Sequence, residues 1–426
     1  MMKAILNKLA FRQEYSSVLI RNPNFRKLFI ASILSMFGTQ MHRFALPWIV
    51  YDFTGSATLM AVNFTISLVP GFFFGLIGGI LSDRYSRQKI LIVSDILAAF
   101  FTMLIVILHI SPMGLQVWYL FVLTFILSSI NSVYLPSFRA SIPTLVTKDD
   151  LLAANGMFSV AQSFMSLGGP IIAGMLIGML GPWINIIMNS ISFLISAVLI
   201  GRIRTSNTVK LEDSTQKNGF LSELSHGLNV VKRTKWLLYG MFLTFGVFLG
   251  SGSVGSLIQY YLRHTLGIEG ALFGVSFALF EFLPMLIAGY YAPLLGKKYE
   301  MEKVVLGGSF LYAFSLIGIG ISTLYPIVIL SGMILNAAAV FIVVNWNAMI
   351  QQYIPNDVLG RVTGTVLTVQ SVALLSGGAV SSFLVTMISP QWVLIGFGMI
   401  TVVFSTITLR LPFINHNKNV SKNSFI

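Results

Sequence analysis

Apolar stretches of about twenty residues recur along the whole chain, separated by short polar joints. A helix rises about 1.5 Å per residue, so about twenty apolar residues match the ~30 Å hydrocarbon core of a bilayer. The candidate spans are 28–51, 58–81, 90–109, 117–136, 152–179, 183–201, 237–262, 271–295, 303–322, 325–347, 361–387 and 391–411. Only 10% of the 426 residues are charged, against about 25% in an ordinary soluble domain. So few charges cannot coat a water-soluble surface, and lipid must be the solvent. The expected fold is an all-α membrane protein with twelve transmembrane helices.

Turn and breaker residues fall at the joints: Thr54-Gly55-Ser56, Ser111-Pro112, Gly181-Pro182, Tyr325-Pro326 and Ser389-Pro390. One longer polar stretch, Arg202–Lys235, separates two sets of six runs. The expected organisation is a tail at 1–27, a six-helix bundle at 28–201, a linker at 202–236, a second bundle at 237–411 and a tail at 412–426. The bundles read as repeats. Asp150-Leu-Leu-Ala-Ala-Asn-Gly, Gln162, Gly168-Gly169 and Pro182-Trp183 recur as Asp357-Val-Leu-Gly-Arg-Val-Thr-Gly, Gln370, Gly377-Gly378 and Pro390-Gln-Trp392. Parallel repeats of this kind give two pseudo-symmetric six-helix bundles.

The net charge is +13. In a soluble chain that would suggest a nucleic-acid partner. Here the cations gather in alternate joints: Arg84, Arg87 and Lys89; Arg139 and Lys148; the linker; Lys297, Lys298 and Lys303; and Arg361. The intervening joints are nearly bare. This is the positive-inside pattern, and it places both termini and the linker in the cytoplasm of a multi-pass cell-membrane protein. Basic residues spread over several loops, rather than one face, argue against nucleic acid. Only Arg43 and Arg263 fall outside the pattern.

The chain has no cysteine, which excludes disulfides, thiolate metal sites and thiol nucleophiles. Its five histidines, His42, His109, His226, His264 and His416, include no pair at metal-ligand spacing on one helix. No nucleotide-binding loop or nucleophile constellation is present. No metal, cofactor or enzymatic activity is therefore expected.

Between the second and third runs the chain reads Gly79-Ile-Leu-Ser-Asp-Arg-Tyr-Ser-Arg-Gln-Lys89. A short charged loop between two membrane-length runs is a helical hairpin with its turn in water. Gly79, Leu81, Asp83, Arg84, Arg87 and Lys89 match the loop that marks the major facilitator superfamily between helices 2 and 3, with Ser86 where the family prefers glycine. The chain resembles that family. The resemblance implies that Asp83 and Arg87, with Gly79, Arg84 and Lys89, form a cytoplasmic latch between the halves. The bland alternative is that the three cations only satisfy the positive-inside rule. In the fifth run, Gly168-Gly169-Pro170-Ile-Ile-Ala-Gly174 resembles the Gly-Pro motif of facilitator drug antiporters, with Ser166 and Ala173 replacing two of its glycines. Small-residue helix packing explains the stretch equally well.

Ionisable groups inside a spanning helix are costly and usually functional. Glu281, in Phe277-Ala-Leu-Phe-Glu-Phe-Leu-Pro284, lies about ten residues from either end of the eighth run, near the bilayer midplane. It is the first candidate for carrying a coupling proton, with a neutral structural acid as the alternative. Asp95 is the second candidate, although a position about a turn and a half inside the third run favours pairing with the loop arginines. Arg43, beside His42, faces either the cavity or the outer surface. Gln40, Arg43, Asn131, Gln259, Asn336 and Asn345 lie on the first, fourth, seventh and tenth runs, which line the central path in the family. Each amide has interhelical hydrogen bonding as its alternative role.

Asn24-Phe-Arg-Lys-Leu-Phe, Ala45-Leu-Pro-Trp48, Tyr51-Asp-Phe-Thr-Gly-Ser56 and Pro136-Ser-Phe-Arg139 resemble one branch of the superfamily, which holds macrolide-efflux-type proteins and enterobactin-type siderophore exporters. The resemblance implies a proton-coupled antiporter that exports amphipathic small molecules such as antibiotics. It would act as a monomer in the lipid bilayer, by rocking its halves about a midplane site. A siderophore or other metabolite exporter, favoured by a cavity-facing Arg43, and a lipid flippase of the same fold are the alternatives.

Overall fold

A computed structural model describes residues 18–112, 114–147, 150–204 and 229–409. Among the described residues the chain is helical nearly throughout and contains no strand. In chain order the helices are α1 Pro23–Thr54, α2 Ala57–Arg84, α3 Arg87–Ile110, α4 Val117–Leu145, α5 Leu151–Leu180, α6 Trp183–Gly201 and α7 Lys235–Tyr260. Next comes α8, in two parts, Gly270–Phe277 and Leu283–Tyr299. It is followed by α9 Met301–Ile321, α10 Tyr325–Tyr353, α11 Asn356–Leu384 and α12 Pro390–Leu409. Two π-helical turns interrupt this pattern. Tyr261–Thr265 extends α7, and Ala278–Phe282 joins the two parts of α8.

Ten of the described helices are long and apolar enough to cross a membrane, where the sequence predicts twelve. In α1, Gln40, His42 and Arg43 dilute the apolar interior. The chain is a multi-pass membrane protein. Outward-facing apolar residues agree with this: Val93, Ile96, Leu97 and Phe100 of α3 are each 41–59% exposed. Such a stripe would be a liability in water, and lipid covers it.

The predicted joints are the observed ones. Gly55 ends α1 at φ +60 and donates its N–H to the Tyr51 carbonyl; Gly181 ends α5 at φ +80. Both conformations suit a residue without Cβ. Ser111 closes α3. Pro326 and Pro390 stand in the first turns of α10 and α12, where a missing N–H costs nothing.

By its contacts the chain forms two compact units. The first holds the described residues of Met1–Gly55, Ile66–Asp213 and Glu269–Ala278, and the second those of Ser56–Thr65, Ser214–Ile268 and Leu279–Ile426. Each unit thus takes a short helix start from the other sequence half. In the first unit, Phe158 meets Phe25, Phe29 and Phe138 edge-on at ring-centroid distances of 5.0–5.8 Å. Buried Leu28, Leu91, Ile142 and Ile200 complete that core. The carbonyls at the end of α6 lack intrahelical donors. Lys27 Nζ donates to Arg202 O at 2.6 Å, and Gln88 Nε2 donates to Ile200 O and Ile203 O at 2.8 Å. Cationic and amide donors are favoured at this negative end of the helix dipole.

The repeated Gly-Gly pair has the same role in both units. A Cβ on Gly169 would lie 2.7 Å from Gln40 Cβ, so α5 approaches α1 there. A Cβ on Gly377 would overlap the Leu249 carbonyl, so α11 approaches α7 in the same manner. Without a hydrophobic driving force between helices in lipid, such backbone proximity is what holds them together.

Candidate functional site

The charged loop is built from the end of α2 and the start of α3. Gly79 and Asp83 lie in α2, outside the positions whose surroundings are described. Arg87 turns inward: its Nη1 donates to the Ala140 carbonyl of α4 at 2.8 Å. The guanidinium therefore ties the start of α3 to α4 within its own unit. Arg84 and Lys89 are exposed and have no salt-bridge partner among the described residues. Ser86 is the N-cap of α3 and makes no side-chain capping bond.

In α5, Gly169, Pro170 and Gly174 are buried. The structure brings two separately predicted features together here. Gln40 Nε2 donates to Ser166 Oγ at 3.0 Å while the Gln40 stem lies over Gly169. Gly168, by contrast, has nothing within 4 Å of where a Cβ would stand. Gln40 is thus engaged with the Gly-Pro segment of α5. Gly274, at the start of α8, abuts the Pro170 carbonyl of the same unit.

Glu281 lies in the π-turn Ala278–Phe282, half-buried. Pro284 follows this turn and removes one α-helical bond from it. A regular helix bonds the N–H of residue 284 to the carbonyl of residue 280, and proline has no N–H. The Phe280 carbonyl, denied its α-helical donor, accepts a bond from Asn336 Nδ2 at 2.9 Å from α10. The Phe280 ring packs where a Cβ on Gly332, also on α10, would stand. A proline, an amide and a glycine thus hold one irregular turn, and that turn presents the acid. Such turns are rare and recur at functional sites. Asn336, predicted as a cavity residue, is placed as the support of this turn.

Asp95 is 1% exposed and accepts a hydrogen bond from Ser196 Oγ at 2.6 Å. It does not pair with the loop arginines. Its side chain turns to α6, where the buried carboxyl takes a hydroxyl partner. Around it runs a polar seam that the single-residue reading does not single out. Asn185, Asn189, Ser192 and Ser196 line one face of α6, all buried. Gly38 of α1 lies against Asn189 and Ser192, and Ser190 Oγ donates to Ala99 O at 2.8 Å. The signal was available in the spacing: residues four, three and four apart share one helical face.

The remaining candidates divide. Asn345 is buried, and its Nδ2 donates to Ala292 O at 3.1 Å and Phe341 O at 2.9 Å, so it joins α10 to α8. Arg43 is exposed on the same face of α1 as Thr39, one turn earlier. His42 Nδ1 and Gln259 Oε1 are buried atoms without a partner among the described residues. Asn131 is exposed on α4. Among the described residues no cluster of His, Asp and Glu could hold a metal ion.

An all-helical, multi-pass chain with buried acids, a basic hairpin loop and glycine-mediated helix contacts is a membrane transporter. Residues 16–426 match the major facilitator family described as transmembrane secretion effector, and the chain belongs to it. Macrolide efflux protein A of Streptococcus pyogenes is 24% identical over 364 residues, covering 83% of this chain and 87% of that protein. The multidrug efflux pump Tap of Mycobacterium bovis is 23% identical over 215 residues, half of each chain. The solved nucleoside transporter NupG superposes with a TM-score of 0.71 at 11% identity, over 91% of this chain and 98% of that one. A bacterial homologue of the iron transporter ferroportin, in its inward-facing state, gives 0.69 at 14% identity over 91% and 98%. The family and the relatives are transporters, not enzymes.

Proposed function

We propose that this chain exports amphipathic small molecules across the cell membrane in exchange for protons, as a monomer with both termini in the cytoplasm. Two six-helix bundles, 28–201 and 237–411, would alternate access to a site between them. The relatives named for macrolide and multidrug efflux support the direction and the cargo class. The observation that carries the proton reading is Glu281 on its π-turn. A coupling acid must hold its proton in one state and lose it in another, and a turn whose backbone bonds are already irregular shifts at lower cost than a continuous α-helix. A proton moving inward releases ~2.3 kcal/mol per 100 mV. Asp95, buried with one hydroxyl partner, is the second acid for this role. Arg87 and Asp83 would operate the cytoplasmic gate.

Glu281→Gln tests the assignment. It mimics the protonated acid at nearly the same volume. Uphill export in proteoliposomes should be lost while downhill exchange of substrate persists. Uncoupler-sensitive accumulation by that variant would move the coupling site to Asp95.

A second reading, export of an anionic metabolite such as a siderophore, draws on the exposure of Arg43 beside Thr39. Arg43→Gln should then weaken binding of an anionic cargo and spare neutral ones.

A further inference from the structure

The charged loop borders a groove that the transport reading leaves unused. A cavity of about 620 Å³ opens between the start of α3 and the middle of α4, wholly within the first unit. Its two ends differ chemically. At one end stand Arg84, Ser86 and Lys89, at the other Val93, Leu97 and Ile130. Both cations are exposed and neither has a salt-bridge partner among the described residues. Arg87, the third cation of the loop, is turned away onto the Ala140 carbonyl and leaves the groove to the other two. Ser86 opens α3, a helix of 24 residues, with its hydroxyl uncommitted to capping. The helix N-terminus adds a partial positive charge at the same end.

We infer that this groove binds one anionic phospholipid of the cytoplasmic leaflet, its phosphate on Arg84 and Lys89 and an acyl chain along Val93, Leu97 and Ile130. Geometry supports this occupant. Lys89 and Leu97 are eight residues apart on α3, about 12 Å along the axis. That is the span from a lipid phosphate into the upper acyl region. Tyr85, 61% exposed beside the cations, stands where amphipathic aromatics settle at a headgroup boundary. A soluble anion would use the cationic end and leave the apolar wall uncovered. A neutral lipid would use the wall and offer the two cations no anion, where the described residues supply none as a salt bridge. The inference rests on the proposed orientation, which puts this loop at the cytoplasmic leaflet, and does not depend on what is transported. Lipid held there would bear directly on the loop proposed as the gate.

Native mass spectrometry of the full chain, released from nanodiscs of mixed phosphatidylglycerol and phosphatidylcholine, tests it without reading transport. The wild-type chain should retain one phosphatidylglycerol in preference to phosphatidylcholine. Arg84→Gln with Lys89→Gln should weaken that retention roughly tenfold or more, since each cation near an anionic headgroup contributes comparably. Val93→Trp, which fills the apolar end and leaves both cations, should lower it as well. Glycerol phosphate at millimolar concentration should not displace the lipid. Equal retention of the two lipids, unchanged retention in the double variant, or displacement by glycerol phosphate would each overturn the proposal. Both variants alter exposed positions, and monodisperse elution confirms that they fold.

Discussion

Asn336 on α10 donates its side-chain amide to the Phe280 carbonyl on α8 at 2.9 Å. Pro284, four residues on, has no N–H with which to bond that carbonyl in α-helical register. The pair makes a bond between two helices at the residue next to Glu281.

Removing the amide should therefore destabilise the protein, and restoring the N–H should rescue it. Asn336→Leu takes that donor from the carbonyl in an apolar interior, a loss of about 1–3 kcal/mol. Pro284→Ala supplies the missing backbone donor. In a double-mutant cycle followed by thermal unfolding in detergent, the two changes together should cost less than Asn336→Leu alone. Strict additivity would dissolve the connection.

Adjacent glycines in α5 should respond in opposite directions. Gly169→Val drives a side chain into Gln40, and overpacking of this kind costs about 1–3 kcal/mol. Gly168→Ala meets open space and should be neutral or stabilising by up to about 1 kcal/mol through helix propensity. Equal thermal shifts for the two would show that α5 does not touch α1 at Gln40.

The Asp95–Ser196 bond makes an asymmetric prediction. Ser196→Ala strands a buried carboxyl oxygen and should lower stability by about 1–3 kcal/mol. Asp95→Asn keeps an acceptor for the hydroxyl and should unfold close to wild type. If instead Asp95 paired with the loop arginines, Ser196→Ala would be silent.

Orientation is accessible in a chain without cysteine. Single cysteines at Ser111, which closes α3, and at Ser214 in the linker should label from opposite faces of the membrane. Ser111 should react in intact cells and Ser214 only after permeabilisation. Labelling of both from outside would contradict the positive-inside orientation.

Much of the fold is legible in the amino-acid sequence. A bilayer offers the backbone no hydrogen bonds, so each spanning segment must satisfy its own N–H and C=O groups as a helix. That is a local rule, and it leaves local marks: apolar runs, glycine at the ends of α1 and α5, and proline in the first turns of α10 and α12. Glu281 stood out for a related reason, as a charge inside an apolar run. Family membership was equally local, carried by the loop from Gly79 to Lys89.

What the sequence left open was decided by pairing across helices. Pro284 announces a carbonyl denied its α-helical donor, but only packing shows that Asn336 meets it. Asp95 looked close enough to the loop to pair with arginine, yet the turn of α3 aims it at Ser196. Gln40 and Asn345, equally good as cavity residues, are committed to α5 and α8. A helix in lipid forms by itself, so its existence is written in its own residues. Which face meets which neighbour depends on backbone approach and side-chain bonds contributed by distant segments, and only the assembled tertiary structure holds that information.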